Sequence, residues 1–276
     1  MPMGSDTIVK PGYRSQAEDT HPDSDRYQFQ LLRQRSPAQR VQMAAKALSL
    51  RGIKQVRGAQ YRQYFAQAVL AEKWLPQLTP TSDEPMWIQD STELAKQLHE
   101  ILERLNIAYY ITGGVASIAY GEPRTTRGLD LVVEINQADI ARLVTVLERL
   151  GFYCPPGAID EIQRGQGHVL SVTHTETILS ADIILYRDSA FDRSKMQRRR
   201  LEIMDAEPRC WVVSPEDLIL AKLLWGQKSQ SEKQWPDVLG VLKVQGETLN
   251  FDYLMQWAEQ LNLVDALTQA LVEAGL

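Results

Sequence analysis

The sequence predicts an α/β (α+β) chain: a mixed sheet carrying a helical N-terminal extension and a C-terminal helical bundle. Three observations lead to this. Between residues 91 and 214, short apolar strands alternate with amphipathic helices. From Ser214 onward the pattern is helical only. Before residue 90 the chain is polar and basic and shows no strand pattern.

Residues 1–25 are rich in Pro, Asp and Ser and are expected to form a disordered tail. Residues 26–90 form a basic helical region and linker. Ser36-Pro37 is an N-cap and first-turn pair, predicting a helix to about Leu50, and a second helix is expected over 58–75. LPQLTPTSDEP (75–85) carries three prolines and reads as a linker. The core is expected over 91–214. Asp90 followed by Glu93 makes a capping-box pattern that opens a helix over 91–105, with Leu94, Leu98, Ile101 and Leu105 along one stripe. IAYYIT (107–112) is a strand ending in Gly113-Gly114, and 115–121 is a short helix. GLDLVVEI (128–135) is a strand, and Asn136 caps a helix over 137–150. HVLSV (168–172) and ILSADIIL (178–185) read as a strand pair joined by HTET. Strands LEIM (201–204) and CWVV (210–213) follow. A C-terminal helical domain, 215–276, contains helices at 215–225, 231–244, 251–262 and 264–274.

The composition narrows the function classes. The chain has 276 residues, 44% hydrophobic and 24% charged, which is ordinary for a globular protein. No apolar run approaches 18 residues, so no membrane span is expected. The first residues lack an apolar signal core, and a cytoplasmic location is expected. Cys154 and Cys210 are too few for a disulfide framework or a zinc site. Charge is distributed unevenly. From Arg26 to Arg62 there are nine basic residues and no Asp or Glu. Taking those nine from the net −5 leaves the remainder at −14. Such a segment suits nucleic-acid phosphate, an acidic partner, or the protein's own acidic surface.

The chemistry-bearing residues cluster in the core. A strand that runs through two glycines into a helix lets backbone N–H groups approach a ligand, and a helix N-terminus favours phosphate. It also serves as a plain tight turn. Thirteen residues separate Gly114 from position 128, where the strand begins. Residues two apart on a strand share a face, so 128 and 130 point together while Leu129, Leu131 and Val133 point to the core. Asp130 and Asp182 both stand inside apolar strands. A carboxylate there is costly unless it is paired or bound to a cation. Pairing with Arg124 or Arg127 is the plainer alternative for either one.

Together these residues resemble the nucleotidyltransferase superfamily (polymerase-beta-like): a glycine pair, acids in alternation on one strand, and a third acid on a later strand. Arg124-Thr125-Thr126-Arg127 resembles the Arg-x-Thr-x-Asp lead-in of the AbiEii/MenT-type toxin nucleotidyltransferases. SPEDLILAKLL (214–224) and SEKQWPDVLGVL (231–242) resemble that group's helical half, in which a lysine and an aspartate face the site. The resemblance covers about residues 91–245. It implies a transferase that uses a nucleoside triphosphate (NTP) with Mg²⁺ or Mn²⁺. Asp130 and Asp182 would be metal ligands, and Asp130, Asp182, Lys222 and Asp237 the catalytic set. Gly113, Gly114, Ser117, Arg124, Thr126 and Lys222 would bind nucleotide. It further implies an acceptor that is RNA (tRNA) or protein, the toxin role of a toxin–antitoxin or phage-defence pair, and an antitoxin partner. The segments 26–62 and SKMQRRR (194–200) would then face RNA phosphates. Lys222 also fits a snorkelling lysine, and Asp237, after Pro236, a first-turn charge.

The sequence departs from the family at Gly128, where the first metal-binding aspartate is expected. Glu134 shares the face but lies roughly 20 Å from position 128 and about 13 Å from Asp130 at strand rise. Two carboxylates suffice for one Mg²⁺ with phosphates and water. A second adjacent ion loses its ligand. Activity is therefore expected to be reduced or lost, which leaves a silent nucleotide- or partner-binding module as the alternative.

Overall fold

The computed structural model describes residues 9–16, 21–44, 91–124, 126, 128–175, 179–203, 209–229 and 234–276. The expected helix at 58–75 and the linker at 75–85 lie outside them, as do Asp90 and the basic residues from Lys46 to Arg62. In chain order the elements begin with helix α1 (Pro22–Arg33) and a helical stretch α2 over 37–44. The core follows: α3 (Ser91–Arg104), β1 (Ala108–Thr112), α4 (Gly113–Tyr120), β2 (Gly128–Glu134), α5 (Ile140–Arg149), β3 (Phe152–Tyr153), α6 (Pro156–Gln163), β4 (Val169–His174), β5 (Ser180–Leu185), α7 (Ala190–Arg198), β6 (Arg200–Ile203) and β7 (Arg209–Val212). Helices α8 (Pro215–Ser229), α9 (Gln234–Gln245), α10 (Phe251–Leu261) and α11 (Val264–Ala274) complete the chain. Among the described residues no helix is long and apolar enough to cross a membrane.

Among the described residues seven strands form one mixed sheet in the order β3-β4-β5-β2-β1-β7-β6. β2 is central, antiparallel to β1 and parallel to β5. Its alternation is the one expected: Leu129, Leu131 and Val133 are fully buried, while Gly128 and Asp130 are half-buried. Burying a Leu or Val side chain stabilises by about 1.5–3 kcal/mol, so a one-residue slip that turned this row outward would be strongly disfavoured. Leu94, Leu98, Ile101 and Leu102 of α3 join the same core, and α3 packs on β1 and β2. Helix α9 runs through the C-terminal half with Val238, Leu239, Val241 and Leu242 buried, and it touches α4, α8 and α11.

Several expectations are corrected. The disordered tail does not hold over 9–16 and 22–25. Pro22 at the first turn and Asp23 and Asp25 near the N-terminus start α1, and its Asp25 is buried against Lys243 of α9. Ser36 does cap α2: its Oγ accepts from Gln39 N–H at 3.2 Å, and Gln39 Oε1 accepts from Ser36 N–H at 2.9 Å. Asn136 does not cap a helix over 137–150. A short 3₁₀ turn, Gln137–Asp139, comes between, and the Asn136 side chain makes no capping bond. Strand β3 and helices α6 and α7 were not expected. β3 has only two residues, α6 opens on the second proline of a Pro-Pro pair, and α7 lacks an apolar stripe apart from Phe191 and Met196.

Candidate active site

The site lies where β1 turns into α4. Gly113 has φ +61°, in the left-handed region that favours glycine. Space demands glycine as well: a Cβ at 113 would lie 1.9 Å from Asp130 Oδ2. A Cβ at Gly114 would lie 2.4 Å from Thr126 Oγ1, so Thr126 closes over the turn. Ser117, one turn into α4, is buried and donates its Oγ–H to the Gly113 carbonyl at 2.8 Å.

Strand register gathers the acids. Thr112 of β1, Asp130 of β2, Asp182 of β5 and Ser171 of β4 are consecutive partners across four strands. Directly paired residues share a face, so Asp130 and Asp182 stand side by side. Burial is the main reason the Asp130 carboxyl is pushed above the usual carboxylate range. The Gly114 N–H bond draws it back, the Asp182 charge raises it further, and Lys222 and Arg124 offset part of this. Asp182 accepts from Ser171 Oγ–H at 2.5 Å. Sequence reading missed Ser171, because only the antiparallel β4–β5 register brings it to Asp182.

Two cations meet the site, Arg124 from the connection between α4 and β2 and Lys222 from α8. Asp237, at the start of α9, accepts from Arg124 Nε at 2.6 Å and Nη2 at 2.7 Å. It also accepts from Lys222 Nζ of α8 at 2.7 Å. Lys222 donates in addition to Gln234 Oε1 at 3.0 Å. Burial alone would raise the Asp237 carboxyl. The bonds and charges of Arg124 and Lys222 outweigh it and hold the group below its ordinary value. Asp237 therefore organises two cations beside the Asp130–Asp182 pair, and both cations are close enough to act on Asp130.

Gly128 opens β2, opposite Ser180 of β5. It has no positive φ, and a Cβ there would meet nothing within 4 Å. Neither conformation nor crowding requires glycine. Among the described residues no group of three or more His, Cys, Asp or Glu is placed to hold a metal ion. Asp130 and Asp182 are two adjacent hard oxygen donors whose charges oppose one another. They fit one Mg²⁺ completed by phosphate and water, and not a pair of ions. Glu134 lies exposed at the far end of β2 and takes no part.

No family model matches the chain, and no curated protein matches its sequence. Solved structures do resemble it. One is an antigenic nucleotidyltransferase-like protein from Paracoccidioides brasiliensis, 19% identical over 64% of this chain and 91% of that one, with a TM-score of 0.40. Another is ANT(2'')-Ia in complex with adenylyl-2''-tobramycin, 14% identical over 62% and 97%, at 0.43. A CCA-adding enzyme with ATP is 15% identical over 66% and 52%, at 0.28.

The basic segments are partly spent inside the molecule. Arg40 is buried and donates to the carbonyls of Ala119, Leu32 and Arg35, and Arg33 Nε donates to the Lys243 carbonyl at 2.8 Å. Within SKMQRRR, Arg198 and Arg200 pair with buried Glu216 at 3.2 and 3.3 Å, and Arg198 lies over the Tyr253 ring.

Proposed function

We propose that this chain is a nucleotidyltransferase-fold protein of the AbiEii/MenT toxin type, whose site accepts a nucleoside triphosphate with one divalent cation. The observation that carries this is the in-register Asp130–Asp182 pair, set against the Gly113–Gly114 turn and faced by two cations on Asp237. Asp130 and Asp182 would hold Mg²⁺ or Mn²⁺. When bound, the ion neutralises phosphate charge and acidifies a coordinated hydroxyl. The chain's own groups do the rest. Backbone N–H groups of the glycine turn and of the start of α4 receive phosphate oxygens. Lys222 and Arg124 offset phosphate charge, and Asp237 orients both of them. Asp182 accepts the proton of the attacking hydroxyl. A bond forms from the acceptor oxygen to the α-phosphorus, the α–β anhydride bond breaks, and pyrophosphate leaves. The acceptor is RNA, tRNA in particular, or protein, and the biological role is that of the toxin opposite an antitoxin. In this reading the segments 26–62 and 194–200 would face RNA phosphates, with Lys195, Arg198, Arg199 and Arg200 each also bonded within the chain.

Gly128 favours a second reading on the same site. With the first metal-ligand position empty of a carboxylate, the chain binds nucleotide but transfers it weakly or not at all. Calorimetry with each NTP and Mg²⁺ tests the shared core of both readings. Binding that requires Mg²⁺ and is abolished by Asp130→Asn is expected. Binding unaffected by Asp130→Asn would place the nucleotide elsewhere.

A further inference from the structure

The geometry points to the N-terminal strap, residues 9–16 together with α1, as the element that positions the Arg124–Asp237 pair, with Gln16 as its positioning residue. The inference rests on the reading of that pair as part of a nucleotide site. Arg124 comes from the connection between α4 and β2, and Asp237 from the first turn of α9. The strap is bonded close to both. Gln16 Nε2 donates to the carbonyl of Pro236, the residue before Asp237, at 2.8 Å. Gln28 Nε2 of α1 donates to Glu122 Oε1, two residues before Arg124, at 2.9 Å. Gln16 also hydrogen-bonds to the Glu122 side chain, and it packs where Gly240 leaves room: a Cβ at 240 would lie 3.4 Å from Gln16 Nε2.

The strap is itself fastened to α9. Asp25, 1% exposed, accepts from Lys243 Nζ at 2.7 Å, from Gln16 N–H at 2.9 Å and from Tyr13 O–H. Lys243 also donates to the Arg14 carbonyl at 2.6 Å and lies over the Tyr13 ring. A bidentate arginine–carboxylate pair tolerates little displacement of either backbone. Loop segments wander unless they are held. A strap bonded beside both partners fixes their separation before ligand arrives, which lowers the ordering cost of binding. Gln16 would thus set nucleotide affinity without touching nucleotide.

The test uses the full chain, the four NTPs with Mg²⁺, and two substitutions: Gln16→Ala, and Gln16→Met, which keeps the bulk against Gly240 but removes the donor. Each is also made in the Arg124→Ala background. Both substitutions are expected to weaken NTP binding about 5-fold, with no further weakening once Arg124 is gone. Amide exchange across 121–126 and 237–240 should quicken in both. Equal weakening with and without Arg124, or unchanged exchange at both segments, would overturn the inference. If no version binds nucleotide, the functional reading fails, and exchange alone then judges the strap: faster exchange at both segments supports it and unchanged exchange refutes it.

Discussion

A Cβ at position 113 would press on Asp130, whereas a Cβ at 128 would stand in open space. Opposite outcomes follow for the two glycines. Gly113→Ala combines left-handed backbone with a clash against the half-buried Asp130 carboxylate, and should cost about 1–3 kcal/mol or more, read as a lowered denaturation midpoint. Gly128→Asp should fold with its midpoint nearly unchanged, because a strand glycine is itself worse by roughly 0.5–1 kcal/mol. Asp237 supplies a pH test. Its folded pKa lies below the unfolded value, so its contribution to stability is present above the unfolded pKa of about 3.9 and is lost as pH falls through the folded value. The stability gap between this chain and Asp237→Asn should therefore be full at pH 6 and shrink below pH 4, as followed by urea denaturation. Most of these residues were legible in the sequence, because an acid inside an apolar strand and a Gly-Gly turn are local signals. The bonds of Asp237 were not, since its partners Arg124 and Lys222 are 113 and 15 residues away in sequence.

At the scale of elements, periodicity located the central strands and the C-terminal helices to within a few residues. It failed where the signal is tertiary. Helix α1 has a weakly apolar sequence and owes its place to Phe29 and Leu32 and to the Asp25–Lys243 pair. Lys243 is buried, and that burial pulls its ammonium below its ordinary pKa despite Asp25. Replacing Asp25 by Asn would leave that ammonium buried without its counter-charge, a loss of about 3–5 kcal/mol. Chemical denaturation should show it, and proteolysis within residues 9–33 should accelerate.

For the whole molecule, the basic patches read from the sequence proved to be divided. Arg33 and Arg40 fasten the N-terminal helices to the body, and Arg198 and Arg200 neutralise Glu216 at the head of α8. Linear charge counts do not distinguish such internal ties from a free surface. The helical half, anchored in this way, brings Lys222 and Asp237 to the sheet row of Asp130 and Asp182. The central claim of the proposed function is that the Asp130–Asp182 site lacks the carboxylate expected two residues earlier on β2, at Gly128. Its most direct test is label transfer from the four α-labelled NTPs, with Mg²⁺ or Mn²⁺, total RNA and cell extract, comparing this chain with Gly128→Asp. The account predicts transfer by Gly128→Asp that is at least tenfold above that of the chain as it stands, about 1.4 kcal/mol in barrier. Equal transfer by the two would contradict it, because position 128 would then lie outside the metal site.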